Sequence, residues 1–488
     1  MRPMARKAGQ GPPEIELEFT NFGPIAGGRV VLRPLTVFVG PNGSGKSYAS
    51  VLAHSVVSSC ADTVRAARSG DWAGALLDSG EFYRLSGRVA RLAASANGGR
   101  VEVPRGLASK IRECTVGRLF EKSLVRHMGY NFGSHLGALV RTGSRASRIR
   151  IRGPVRADVS ITRTGGAAVR AGFGDERRPV RGSADVAGMV TGARRGAAAK
   201  GGRNGASPPA GSLASGRDPG ALLELAAGIA GQAVTGRECG ASRYLPAARS
   251  GVMCAYGTLA PGILNGLRRD GHGAVRTAGT VSGLAGSLAG AGAARRNGGS
   301  GGADGIIHGV FGGRLGTAGR GGGALSYAHG GTSVPMHMSS SGIVDTAPIA
   351  LAAEAMVPGD TLVVEEPEAH LHPHSQIRLA GQLAGIVRRG MRVVLSTHSP
   401  FFLEQLSILV QLEALTPAKR KARGYGRDAY VAASEVAPYA FGGSQVRGYT
   451  VAEIEHSADG GISQDEFVSV SESMSNDEYG IYLAKGGD

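Results

Sequence analysis

The chain has 488 residues, 42% of them hydrophobic, enough for one large domain or two to four smaller ones with a sizeable core. Gly accounts for 80 residues, aromatics for 5%, the net charge is +17, and the four cysteines (Cys60, Cys114, Cys239 and Cys254) stand at no metal-ligand spacing. These values exclude a fully disordered chain, a collagen repeat and a disulfide scaffold; with no apolar run of roughly 18 residues and no signal-peptide core, the expectation is a cytoplasmic protein with no membrane partner.

Residues 14–39 alternate and then turn continuously apolar (EIELEFTNFGPI, then RVVLRPLTVFVG). They predict two or three strands, the last (Leu35 to Val39) buried on both faces. A Gly-rich loop and a helix follow. Residues 111–160 carry a helical patch, RLFEKSLVRHM, and strand-like alternation, SRIRIRGPVRADVSIT. Residues 141–330 hold 26 basic and 9 acidic side chains, the whole net charge, while the rest of the chain has 29 of each. All but one of those 26 are Arg, the exception being Lys200. This basic centre is either a surface for phosphate backbones or a solvated insertion. Within it, 164–220 is of low complexity, 221–234 reads as a helix, and 271–304 is again Gly/Ala-rich. From 341 the pattern is regular: a helix, a strand over 361–366, a helix over 374–389, a strand over 392–397 and a helix from about 401. The helix over 374–389 puts Ile377, Ala380, Leu383, Ala384 and Val387 on one face, and Gly390 stands where it ends. Alternating strands and helices imply a parallel α/β sheet.

Gly40-Pro41-Asn42-Gly43-Ser44-Gly45-Lys46-Ser47 satisfies G-x-x-x-x-G-K-[ST] in full, between a buried strand and a helix. Glycines let successive N–H groups curl around an anion, and the helix adds its dipole. Lys46 is placed for β- and γ-phosphates and the Ser47 hydroxyl for Mg²⁺. The strand ending in Glu365-Glu366 brings two carboxylates to such a loop. Glu365 is expected at the metal, and Glu366 is expected to orient or deprotonate water. His398 follows Glu366 by 32 residues, one helix plus one strand, which predicts the same sheet edge and a contact to the γ-phosphate. His370, His372 and His374 could converge on a metal only as a strand, and Pro373 breaks that run.

GPNGSGKS, MSSSG, VVEEPEAHLHP and LSTHSP together resemble the ABC-type ATPase head group, which includes transporter ATPases, SMC-type proteins and the OLD (overcoming lysogenisation defect) family. The nearest resemblance is to stand-alone OLD-like, AAA-annotated P-loop ATPases. It covers 14–50, 240–260 and 305–405 well, and 115–160 and 430–482 more loosely. It implies an α/β fold: a mostly parallel core sheet, an antiparallel N-terminal β subdomain and a Gly/Arg-rich insertion. The implied divisions are an N-terminal ATPase lobe with Walker A (14–160), a partly helical, partly disordered insertion (161–304), a C-terminal ATPase lobe with signature, Walker B and His switch (305–420), and a C-terminal extension (421–488). By the same resemblance, Ser341 and Gly342 of the Ser339–Gly342 signature contact the γ-phosphate of ATP held by a second copy; on the residues alone this is an anion site or a helix cap. Arg249, in the YLPAARS segment, is implied on the nucleotide or interface side, or is a surface Arg. Departures are Glu365 for the usual Asp, SSSG for LSGGQ, no identified Q-loop glutamine, no long heptad run, and no D-x-D after His398 for a Toprim domain.

The expected function is Mg²⁺-dependent ATP hydrolysis in an ATP-dependent homodimer, with closure coupled to a protein partner or to DNA or RNA through the basic centre, in repair or defence. A non-hydrolysing ATP-gated module and a nucleic-acid-binding protein with regulatory ATP are the alternatives. A transporter subunit is disfavoured by the nearly 300 residues between loop and signature.

Overall fold

The computed structural model describes residues 13–69, 104–172, 239–253, 302–318 and 324–485, with Leu85, Arg88 and Arg91. The run containing Arg194, Arg195 and Arg203, the helix expected over 221–234, Cys254 and most of the stretch 271–304 lie outside the described residues.

Three strands open the fold, β1 (Ile15–Phe22), β2 (Ile25–Leu32) and β3 (Leu35–Val39). β1 alternates buried Ile15, Leu17 and Phe19 with the more open Glu16, Glu18 and Thr20, the pattern of a strand covered on one face. β3 is buried at every position. Helices α1 (Lys46–Ser69), α2 (Arg105–Arg112) and α3 (Arg118–Phe132) follow, and α3 ends at left-handed Gly133. A meander of β4 (Ala146–Arg152), β5 (Arg156–Thr162) and β6 (Ala167–Gly172) comes next. After β7 (Ser242–Leu245) and α4 (Gly302–Phe311), a small antiparallel sheet is built from β8 (Arg314–Ala318), β9 (Ala324–His329) and β10 (Thr332–Pro335). The regular α/β part then runs α5 (Ser341–Glu354), β11 (Thr361–Glu365), α6 (Pro373–Arg388), β12 (Arg392–Ser396) and α7 (Pro400–Gln411). The last elements are β13 (Val436–Ser444), β14 (Gly448–Glu453) and α8 (Asp465–Ala484).

One sheet carries eleven strands in the order β6-β5-β4-β1-β2-β14-β13-β3-β12-β11-β7. From β13 to β7 every pairing is parallel, and from β6 to β2 every pairing is antiparallel. Residues 421–488, read from the sequence as a C-terminal extension, contribute β13 and β14 to the junction of the two halves. The expected parallel core and antiparallel subdomain are both present, fused into one sheet.

In the parallel half, alternate residues of each strand feed two cores. Val37, Val364 and Leu395 pack with α4–α7, whereas Phe38, Val363 and Val394 pack with α1 and α3. Each such side chain contributes roughly 1.5–3 kcal/mol of burial, which is why these strands are apolar throughout. Helix α6 buries Leu379, Ala380, Leu383, Ala384, Ile386 and Val387 and is followed by left-handed Gly390. Ile377, expected on that face, is 37% exposed. Leu379 and Ile386 shift the centre of the packed face away from it. Pro348 lies inside α5, as expected. No helix among the described residues is long and apolar enough to cross a membrane.

Candidate nucleotide site

The phosphate loop joins the end of β3 to the start of α1. Gly43 has φ +77°, and Gly45 has φ +106° with Ile25 2.6 Å from where a Cβ would stand, so both conformation and close approach require glycine there. Pro41, Asn42 and Gly43 are exposed, while Ser44, Gly45 and Lys46 are buried. Lys46 Nζ donates to the carbonyls of Gly40 and Pro41 at 2.8 Å each, so its charge is held over the mouth of the loop. The N–H groups at the start of α1 and this ammonium make an anion cradle.

Parallel register sets the acidic edge beside it. β12 pairs with both β3 and β11, so the carboxyl ends of the three strands are aligned: Glu365 lies opposite Ser396, and Ser396 opposite Phe38. Glu365 is buried, with the side chains of Ser47 and Tyr244 beside its carboxylate. Its Oε1 has no hydrogen-bond partner among the described residues. Burial pushes the Glu365 carboxyl up, the hydroxyls of Ser47 and Tyr244 pull it back, and the neighbouring Glu366 charge adds to the rise. A hydroxyl and an under-satisfied carboxylate in contact are hard oxygen donors of the kind Mg²⁺ takes, so these residues fit the ion.

Glu366 lies just past β11 with φ +44°. Its N–H donates to Ser396 O at 2.9 Å, and its half-exposed carboxylate lies 3.7 Å from His398 Nε2. Burial, then the charge of Lys46, push the His398 imidazole down, and Glu366 opposes them. Loop, metal-type pair, free carboxylate and imidazole therefore converge at one sheet edge. The sequence places all four there because each sits at the end of a buried parallel strand.

The signature stands at the start of α5. Ser340 is the N-cap residue of α5, Ser341 is exposed, and Gly342 is buried. A Cβ on Gly342 would stand 2.9 Å from His370 O and 2.9 Å from Leu371, so the signature helix starts against the loop that follows Glu366. The three histidines of that loop do not converge on one point. His370 Nδ1 meets Asp345 Oδ2 at 2.5 Å. His372 caps α6 by accepting the N–H of His374, and those two rings stack at 5.6 Å.

Residues 323–404, which span the signature, the acidic strand and His398, match the family described as "AAA domain, putative AbiEii toxin, Type IV TA system". The matched segment lies within a mixed α/β architecture whose parallel half carries the phosphate loop. No curated protein matches the chain in sequence. Among solved structures, this head is similar to an SMC head bound to the C-winged helix domain of ScpA, at 10% identity and TM-score 0.40, covering 90% of this chain and 97% of that one. It is also similar to the SMC head domain from Thermotoga maritima, at 11% identity and TM-score 0.35, covering 90% and 98%. A third likeness is to the recombination mediator protein RecF, at 8% identity and TM-score 0.32, covering 92% and 100%.

Two residues organise the head in ways that sequence reasoning missed. Arg249 is not a surface residue: it is fully buried. Its guanidinium donates to Asp345 O at 3.1 Å, Pro246 O at 3.0 Å, Glu366 O at 3.0 Å and also to Glu365 O. The planar fork thus ties the backbone of both acids to the signature helix. The charge is tolerated there because Asp345, Glu368, Glu366 and Glu365 surround it. Glu368, also buried, accepts from Thr397 Oγ1 at 2.8 Å and His398 N at 2.7 Å, so it fixes the backbone that presents His398. Burial raises the Glu368 carboxyl, and the N–H of His398 lowers it. Nothing in the spacing of EEPE distinguishes this buried acid from a solvated one; only the pairing of β11 with β12 brings it to Thr397.

Proposed function

We propose that this head binds ATP at residues 40–47 and hydrolyses it. The carrying observation is the convergence of Lys46, the Ser47–Glu365 pair, Glu366 and His398 on aligned ends of β3, β11 and β12. The triphosphate occupies the cradle, and Lys46 exchanges the two loop carbonyls for β- and γ-phosphate oxygens. Mg²⁺ held by Ser47 and Glu365 would offset phosphate charge. Glu366, the exposed acid of the pair, accepts a proton from the attacking water, and His398 Nε2 contacts the γ-phosphate. Ser341 and Gly342 serve the nucleotide of a second copy in this reading, and ATP completes a head-to-tail homodimer. Glu366→Gln keeps size and loses basicity. ATP binding should persist while turnover falls at least about 100-fold. Multiple-turnover ATPase assays check this, and unchanged turnover would defeat the reading.

Closure of that dimer acts on a partner, and one surface favours a nucleic acid. On the outer face of the antiparallel half, Arg150 pairs with Glu18 and Asp158, and Arg152 and Arg29 pair with Glu16. Arg148, Arg156 and Arg170 lie on the same face, exposed and without a salt bridge among the described residues. DNA or RNA bound there should dissociate steeply with salt, at a log–log slope of about −0.9 per phosphate on duplex DNA. Filter binding across salt concentrations measures the slope. Absence of binding at low salt, with and without ATP, leaves a protein as the partner.

A further inference from the structure

Asp345 and His370 form a buried-acid, exposed-imidazole dyad beside the signature. Asp345 lies one helical turn after Ser341, so both residues share a face of α5. Asp345 is 1% exposed, and its Oδ2 meets His370 Nδ1 at 2.5 Å. Its Oδ1 is buried with no hydrogen-bond partner among the described residues. The His370 side chain is 57% exposed. The residue sits at φ +59°, a conformation unfavourable for a non-glycine residue, in the loop that packs on Gly342. A carboxylate that occupies Nδ1 fixes ring orientation and leaves Nε2 as the nitrogen that faces outward. The hydrogen bonds of Arg249 hold both ends of this arrangement, through Asp345 O on the helix and Glu366 O on the loop.

We propose that His370 is a phosphate-binding group that acts in trans: as an imidazolium whose Nδ1–H is given to Asp345, it donates its Nε2–H to a γ-phosphate oxygen of ATP held by a second copy, beside Ser341 and Gly342. Asp345 is the positioning residue that holds the ring. This rests on the head-to-tail dimer proposed above and adds to it a side chain that the signature motif does not contain. It gives an exposed, strained histidine held by a buried acid a purpose that a loop staple lacks, because a staple needs no free nitrogen directed to solvent.

The test uses the full chain in a Glu366→Gln background, where ATP accumulates. Light scattering gives the protein concentration at which ATP drives dimer formation, and fluorescent-ATP titration at low protein concentration gives binding to the single chain. His370→Ala should raise the dimerisation midpoint at least tenfold with single-chain ATP affinity unchanged. His370→Gln, whose amide can still donate, should recover part of the loss, and Asp345→Asn should fall between. A midpoint unchanged in both His370 variants overturns the proposal. If the Glu366→Gln parent itself stays monomeric with ATP, the dimer reading fails first, and the two failures are distinguished. A second measurement fixes the trans assignment. Chains carrying only Glu366→Gln and chains carrying only His370→Ala are each poorly active, but their mixed dimer holds one site with every group intact. Equimolar mixing should restore roughly a quarter of wild-type turnover, from half the dimers being mixed and one of two sites being whole. No recovery on mixing overturns action in trans.

Discussion

The two halves of the eleven-stranded sheet solve burial differently. In the antiparallel half, β1, β4 and β5 bury every second residue, and charged side chains line the other face in crossed pairs such as Glu18–Arg150–Asp158. In the parallel half, β3, β11 and β12 are buried at all positions, Thr36, Thr361 and Arg392 included, and bring their carboxylates to the carboxyl ends. Charge on the first half is spread, paired and solvated. Charge on the second is partly or fully buried, Arg392 at the amino end and the acids at the carboxyl edge, and is tied by hydrogen bonds to specific carbonyls and amides. An equal number of ionic groups should therefore matter far more at that edge than on the outer face.

The largest expected contrast is at Arg249. Arg249→Ala leaves four carbonyls without their donor and three buried acids without their cation, and should cost about 3–5 kcal/mol, read as a lowered urea midpoint. Arg249→Lys keeps the charge and loses the fork, so it should recover only part of the loss. A wild-type midpoint in Arg249→Ala would erase the distinction between the halves.

At the mouth of the edge, Lys46→Ala should weaken ATP binding by about 1.5–3 kcal/mol, one charge-assisted contact, with little change in the unfolding midpoint. Isothermal titration measures the affinity. Equal affinity would mean that the cradle binds through its backbone alone.

His54 offers a comparison by pH. It lies on α1, partly buried, with Nδ1 2.8 Å from Ser242 Oγ on β7. Burial, then the charge of His127, push it down to about 3 from 6.5. The unfolded chain therefore takes up a proton that the folded chain refuses. Its contribution to stability is complete above about 6.5 and is lost progressively as pH falls towards about 3. The urea midpoint should drop between pH 7 and pH 5 more in the wild type than in His54→Gln. Parallel curves for the two would remove His54 as the cause.

The smallest effect belongs to the outer ladder. Arg150→Ala removes exposed salt bridges to Glu18 and Asp158 and should leave the urea midpoint nearly unchanged. A larger loss would show that the ladder is a structural network rather than a solvated face.

The sequence by itself determined the elements around the nucleotide. A continuous apolar run, a Gly-rich turn and a following helix are local signals, and so β3, the loop and α1 stand where the pattern puts them. The same holds for the strands ending at Glu365 and Ser396, one residue short of the expected ends, because an apolar run specifies a buried strand wherever its neighbours come from. Pairing partners are not local. Nothing in residues 436–453 announces that they enter the sheet between β2 and β3, 400 positions away along the chain, because register and neighbour are chosen by the whole set of available edges. Burial of polar residues is decided the same way. The sequence leaves Arg249 open between the nucleotide or interface side and the surface, and Glu368 and Asp345 carry no local signal; all three become interior only when distant segments bring carbonyls, amides and opposite charges around them.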